Sequence, residues 1–285
     1  MKRIVLCAVV FVLIIVVTAS LLTNREKFVP PFEAPMWAYW ESPDNTFPEI
    51  VQRCYDNWKK VGHVKDVRII TPDNVESVMS RSEWKKIQLA ADGEPAVISD
   101  LVALYLLKTY GGLTSDSTVY MNSPLNEWFQ DATSKKEAFL FNASRYNADG
   151  TVCPETFFMY SRRKGHPFFK TWYYLACQVG KDGKEGRDRF IAKIKREYPR
   201  IAERMSEDYY LWVYLVGKYL IKKNPDLINN ISFLDSEKDP LKILSSVEWE
   251  TDPACKILDK PQSTKLTKLD NDLWKTCDPS IVPIY

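Results

Sequence analysis

Ser99 to Leu125 reads SDLVALYLLKTYGGLTSDSTVYMNSPL, and the fold turns on this stretch. Ala96 to Tyr110 is almost continuously apolar and Leu-rich, with no internal Gly or Pro. Such a run predicts a helix buried on most of its faces. Gly111 and Gly112 end it, because glycine takes the left-handed conformation that stops a helix at little steric cost. A bare carboxylate is costly to bury. Asp100, at the head of this helix, therefore either caps or pairs locally, or points into a polar site. A short extended run then leads to Asp116-Ser117-Thr118 and on to Val119-Tyr120-Met121. Asp116 falls at a strand end or in a loop. On spacing alone it is a turn residue, or a ligand-binding carboxylate of the kind found at strand ends in α/β folds.

The flanks read as α/β. Met36 to Trp40 is aromatic-rich, bounded by Pro35 and Pro43, and predicts a buried first strand. A helix over Pro48 to Lys60 separates it from a second strand, Val67 to Ile70. That β-α-β order predicts neighbouring parallel strands, with ligands at their carboxyl ends. Trp37, Tyr39 and Trp40 then either include a base-stacking aromatic or simply pack the core. Asp73 to Gln88 is polar and helix-prone, and Asp92-Gly93-Glu94-Pro95 breaks it. Further on, Glu137 to Phe141 and Glu155 to Tyr160 read as strands. His166-Pro167 starts a helix over Phe168 to Cys177, where His166 is a catalytic base or a residue that caps and packs. Gly186 to Arg204 is highly charged and reads as a solvated helical face. Glu207-Asp208-Tyr209-Tyr210 precedes the apolar run Leu211 to Ile221.

Ile4 to Leu22 holds no charge, Pro or Gly. At about 1.5 Å per residue it is long enough to cross a hydrocarbon core. Lys2 and Arg3 precede it, and Thr18-Ala19-Ser20 offers the rival reading of a cleaved signal peptide. The run exceeds the usual signal core, so the expectation is a tail over 1–3, a single-pass signal anchor over 4–22, a Pro-containing stem over 23–35 and one domain over 36–285. The charges before the anchor put that domain in the lumen (Golgi or ER type) or otherwise outside the cytoplasm. The formal net charge of +2 is interspersed along the chain, which argues against a nucleic-acid surface. Cys54, Cys153, Cys177, Cys255 and Cys277 lie beyond the anchor and form no C-x-x-C, against a zinc site. A luminal domain allows one or two disulfides, with Cys255–Cys277 the expected bridge. A cytosolic one leaves the thiols reduced. Asn142-Ala143-Ser144 and Asn230-Ile231-Ser232 are glycosylation sequons.

The order Ser99-Asp100, Leu-rich helix, Tyr110-Gly111-Gly112, Asp116-x-Thr118, Pro124-Leu125 resembles the capsular polysaccharide synthesis family, among the glycosyltransferases with a DXD-type sugar-binding region. Met36-Trp37-Ala38-Tyr39-Trp40 resembles its first strand, and Pro48-Glu49-Ile50-Val51 through Trp58-Lys59 its following helix. Phe157 to Trp172, with Gly165-His166-Pro167, and Lys265-Leu266-Thr267 are similar to later segments. The resemblance spans roughly residues 35 to 270. It implies a GT-A-like single domain with a mixed, mostly parallel sheet flanked by helices, here preceded by the transmembrane helix. It implies a nucleotide-sugar donor such as a UDP- or GDP-hexose, a glycan or polysaccharide acceptor, and retention of anomeric configuration. Trp37, Tyr39, Trp40, Asp100, Gly111, Gly112, Asp116 and Lys265 would meet the donor, with Asp100 and Asp116 central to catalysis. Asp116 and Thr118 would hold Mn²⁺ or Mg²⁺, and Asp208 and His166 would lie on the acceptor side. On the residues alone, Lys265 and Lys268 are surface lysines or meet the diphosphate as point charges.

The chain also departs from its relatives. Ala103 stands where an Arg commonly follows the Ser-Asp pair, Leu113-Thr114-Ser115 replaces a more apolar strand, and Thr118 replaces the second Asp of DXD. Three functions follow as alternatives. The first is an anchored transferase of hexose. The second is a catalytically inactive relative that binds glycan or a partner, and the third is a nucleotide-sugar hydrolase sharing the same site.

Overall fold

Alternation along the first strand divides the core in two. β1 (Met36–Tyr39) sends Trp37 and Tyr39 into one hydrophobic cluster, and Met36 and Ala38 into another on the opposite face. β2 (Val67–Ile70) pairs with β1 in parallel, Met36 against Val67, across α1 (Glu49–Lys60). The expected β-α-β unit is present, and the central sheet is buried on both faces.

The computed structural model describes residues 32–284 apart from 43, 45, 204, 206–210 and 270–272. The expected anchor over 4–22, most of the stem, and Asp208 lie outside the described residues. No helix among the described residues is long and apolar enough to cross a membrane. Phe32 already belongs to the folded body: it is buried and bridges to Val64.

After α2 (Arg81–Ala91) and α3 (Pro95–Thr109) come β3 (Gly112–Ser115), β4 (Val119–Met121), α4 (Asn126–Thr133) and β5 (Ala138–Asn142). β6 (Pro154–Ser161), α5 (Pro167–Gly180), α6 (Gly183–Glu197), α7 (Trp212–Lys223), β7 (Ile231–Asp235) and β8 (Leu266–Lys268) follow. The six-stranded sheet has the order β2-β1-β3-β6-β5-β7. The β2-β1, β1-β3 and β5-β7 pairs are parallel, and the two pairs that β6 makes are antiparallel. β4 and β8 form a separate antiparallel ribbon. This is the mixed, mostly parallel α/β arrangement expected.

α3 is the apolar run of the opening stretch. It packs on β1, β3, β6, α2 and α5, which is why it is hydrophobic all round. Its start differs from the sequence expectation. Pro95 occupies the first turn and Glu94 the N-cap, so Asp100 lies inside the helix and is not its cap. Proline is suited to that first turn because its missing N–H has no intrahelical acceptor there anyway. α6 also differs from a plain solvated face. Its Arg187 is buried, and Nη2 lies 2.7 Å from Asp92 Oδ2 while Nη1 donates to the Ala91 carbonyl at 3.3 Å. A cation placed there satisfies the C-terminal end of α2. Cys255 and Cys277 form the expected disulfide, and Cys54, Cys153 and Cys177 are free and buried.

The Gly-Gly turn shows why glycine is required. Gly111 and Gly112 have φ of +74° and +92°. A Cβ on Gly112 would lie 2.5 Å from the Pro35 carbonyl oxygen. Gly112→Ala therefore combines left-handed strain with a backbone clash, and destabilisation of at least about 2 kcal/mol is expected from denaturant titration. An unchanged unfolding midpoint would show that β1 and β3 tolerate being pushed apart.

Candidate functional site

The carboxyl ends of β1 and β3 and the first turns of α3 enclose a cavity of about 370 Å³. Tyr39, Trp40 and Glu41 line it from β1, Asp116, Ser117 and Thr118 from beyond β3, and Pro95, Ala96, Ser99 and Asp100 from α3. It sits where ligands bind in open α/β sheets, outside the carboxyl ends of parallel strands. The helix N-terminus adds a partial positive charge.

The Asp116-Ser117-Thr118 segment is held from three directions. Tyr55 Oη of α1 donates to Ser117 Oγ at 2.7 Å, and Ser117 Oγ donates to the Tyr39 carbonyl at 3.0 Å. This ties the ends of β1 and β3 together. Just beyond, Trp58 Nε1 donates to the Val119 carbonyl at 2.7 Å, and Asn57 exchanges two hydrogen bonds with Met121. From the other side β8 pairs with β4, Lys268 opposite Val119, and Leu269 N donates to the Thr118 carbonyl at 2.8 Å. That pairing delivers the Lys268 ammonium. Its Nζ donates to Thr118 Oγ1 at 2.8 Å and stands 3.2 Å from Asp116 Oδ2.

Asp100 is the costly residue of the site. It is 4% exposed, and its Oδ2 has no hydrogen-bond partner; the nearby Thr156 Oγ1 of β6 also has none. A buried polar atom left unsatisfied costs about 1–3 kcal/mol, and such groups call for an explanation. Burial raises the Asp100 carboxyl well above the usual carboxylate range, and the negative charge of Asp116 pushes it further. Thr156 and Lys268 act in the opposite sense. Burial thus favours the neutral form of Asp100, a form able both to donate and to accept, beside the cavity it helps to line. Tyr39 Oη donates to the Glu41 carboxylate, and burial with that neighbour raises the phenol.

The structure brings together Tyr39, Trp40, Asp100, Asp116 and Thr118 of the expected residues, and separates others. Trp37 is 2% exposed and donates from Nε1 to the Gly111 carbonyl at 3.0 Å. Trp37, Gly111 and Gly112 therefore do not line the cavity; they are packing and turn residues near the opposite end of β3 from Asp116. Lys265 turns away as well. Its Nζ pairs with Asp239 Oδ2 at 3.1 Å, and Asp239 Oδ1 accepts from the Lys265 and Leu266 amides. His166 is buried at the N-cap of α5, 5.4 Å from the Phe169 ring, and burial lowers its pKa. It does not line the cavity either. Sequence reading did not identify Glu41, Tyr55, Ser117 or Thr156. Only Glu41 left a signal, since it follows the aromatic strand directly.

Mg²⁺ and Mn²⁺ take several hard oxygen ligands. Here the Thr118 hydroxyl accepts from Lys268, and Asp116 is paired with the same ammonium. No group of three or more His, Cys, Asp or Glu among the described residues could hold a metal ion. The donor set offered by Asp116 and Thr118 does not fit a resident divalent cation.

The sequence pattern described as "Capsular polysaccharide synthesis protein" matches residues 17–198. The chain belongs to the capsular polysaccharide synthesis family. The match spans the whole β1-α3-β3 site and ends near the C-terminus of α6, so Lys268 falls outside the part that defines the family. Among curated proteins none matches the chain. Several solved glycosyltransferases are similar at low identity. Mouse xyloside xylosyltransferase 1 in its apo form is 7% identical over 84% of this chain and 98% of that one, with a TM-score of 0.43. The PaToxG glycosyltransferase is 13% identical over 67% and 88%, with a TM-score of 0.38. GlyE of Streptococcus pneumoniae TIGR4 is 8% identical over 87% and 62%, also at 0.38. The family assignment rests on the sequence match alone.

The raised Asp100 carboxyl has a consequence for stability. Below the ordinary carboxylate range Asp100 is protonated both folded and unfolded, and burial costs nothing extra in charge. As pH rises the unfolded chain ionises first, so the native state loses stability until Asp100 itself titrates. Asp100→Asn removes this loss. Its stability relative to the wild type is expected to increase from pH 3 to neutrality, read from melting temperatures across that range. A difference that stays constant with pH would contradict the neutral acid.

Proposed function

We propose that this member of the capsular polysaccharide synthesis family is a glycosyltransferase that moves a hexose from a nucleotide-sugar donor to a glycan or polysaccharide acceptor. The observation that carries the reading is the buried, unpartnered Asp100 Oδ2 beside a cavity that is also lined by Asp116 and Thr118, the two side chains that hold the Lys268 ammonium. A sugar or ribose hydroxyl supplies the partner that Asp100 lacks, and a diphosphate supplies the anion that Lys268 and the N-terminus of α3 attract. Trp40 and Tyr39, at the mouth of the same cavity, provide faces for a nucleobase.

In this reading the chain's own residues divide the work. Asp100 hydrogen-bonds a donor hydroxyl and fixes the donor's orientation. Lys268 offsets the charge that develops on the departing diphosphate. Asp116 and Thr118 hold the ammonium of Lys268 in place, and Ser117 with Tyr55 keeps the segment from moving. The acceptor attacks from the face that the diphosphate leaves, with retention of configuration. Asp208 is assigned to the acceptor side with the chain that precedes α7. The domain is assigned to the lumenal or extracytoplasmic side of a membrane, anchored through residues 4–22. Of the two sequons Asn230 is exposed, whereas the Asn142 side chain accepts from Asn147 and from the Cys153 amide.

The test is thermal stability against a panel of nucleoside diphosphates and their sugars. A ligand that binds the native state alone raises the melting temperature by mass action. One nucleotide class is expected to give a shift, and Asp116→Ala is expected to lower donor turnover by about 100-fold or more. Absence of any shift across the panel would favour the inactive, glycan-binding relative. Release of free sugar at the same rate with and without an acceptor would make the protein a hydrolase.

A further inference from the structure

Lys268 stands where the family resemblance puts a metal ion, between the carboxylate of Asp116 and the hydroxyl of Thr118. Given the glycosyltransferase reading above, on which this rests, we infer that the Lys268 ammonium replaces the divalent cation, so that the chain binds its donor diphosphate and transfers sugar without a metal.

Three observations converge. The first is geometry: one Nζ engages both side chains that would ligate a cation, at 3.2 Å and 2.8 Å. The second is how firmly that Nζ is held. Lys268 is 9% exposed, its strand is paired to β4, its own amide donates to the Pro240 carbonyl, and Nζ also reaches the Leu269 carbonyl at 3.3 Å. A long side chain on a paired, buried strand has little room to swing clear. The third is the donor set. Thr118 supplies a neutral oxygen where a second carboxylate would stand, and no group of three or more His, Cys, Asp or Glu placed to hold a metal ion is present among the described residues. A divalent ion placed between Asp116 and Thr118 would meet an ammonium already paired with that carboxylate and bonded to that hydroxyl. A diphosphate in the adjoining cavity lies beside the Asp116 and Thr118 side chains that hold the ammonium, and near the N-terminus of α3.

The chemistry balances without a metal. The bond between the anomeric carbon and the diphosphate oxygen breaks, and its electron pair stays on that oxygen beside Lys268. The acceptor hydroxyl oxygen forms the new bond to the anomeric carbon. Its proton passes to the departing diphosphate. Nothing is oxidised or reduced.

The experiment uses the full chain, stripped with chelator, and measures binding of UDP, GDP, CDP and ADP by titration calorimetry in EDTA and in millimolar Mn²⁺. Manganese uptake is followed in parallel by electron paramagnetic resonance. The wild type is expected to bind one nucleotide with affinities that agree within about twofold in the two buffers, and to take up no Mn²⁺ at the site. Lys268→Ala is expected to lose about tenfold or more in EDTA. It regains affinity in Mn²⁺, because Asp116 and Thr118 are then free to bind the ion. Lys268→Arg keeps the charge and keeps metal-free binding. Wild-type binding that needs Mn²⁺, or Lys268→Ala binding that equals the wild type in EDTA, would overturn the inference and leave the transferase reading standing. No nucleotide bound in either buffer would overturn both. The wild-type comparison needs no variant, so a misfolded substitution does not blunt the test.

Discussion

A buried carboxyl oxygen without a hydrogen-bond partner is the constraint around which this site is built. Asp100 sits inside a largely apolar helix, with its Oδ2 left without a partner. The helix cannot turn to expose the group, because its other residues are committed to β1, β3, β6, α2 and α5. The surrounding protein therefore supports the cost, and a cavity is kept open where a partner can enter. The cavity and the raised pKa of Asp100 are two views of one arrangement.

The second constraint is that the ends of two parallel strands must stay together for that cavity to have a wall. Ser117 performs this with one hydroxyl, accepting from Tyr55 and donating to the Tyr39 carbonyl. β8 closes the remaining side, bringing a lysine from far along the chain to the Asp116 segment. The site is thus assembled from a helix, two strand ends and a distant ribbon. Its electrostatics belong to none of them alone: burial in the helix raises the Asp100 carboxyl, Asp116 raises it further, and Asp116 is itself paired with Lys268.

Much of this was legible in the residues. The aromatic strand at Met36, the strand at Val67 and the helix between them emerged from pattern, because period-two and period-3.6 burial leave direct traces. The Asp100–Asp116 relationship emerged from resemblance more than from spacing. Other features were hidden for physical reasons. Trp37 and Trp40 carry the same side chain at the two ends of the strand, and it is the tertiary setting of those ends that gives one a bond to the Gly111 carbonyl and the other a place on the cavity. Lys265 and Lys268 were equal candidates for a diphosphate. Asp239, brought in by a loop, captures the first, and β8 pairing aims the second. His166 belongs to a recognisable segment, yet the turn before α5 buries it against Phe169. Each of these choices depends on contacts between residues distant in sequence, which no local pattern records.

The most direct test of the account is a crystal structure of the protein with its nucleotide-sugar donor bound. A donor hydroxyl within hydrogen-bond distance of Asp100 Oδ2, with the diphosphate against Lys268 and the base by Trp40, is the result the account predicts. A donor bound elsewhere on the protein, with Asp100 still unpartnered in its cavity, would contradict it.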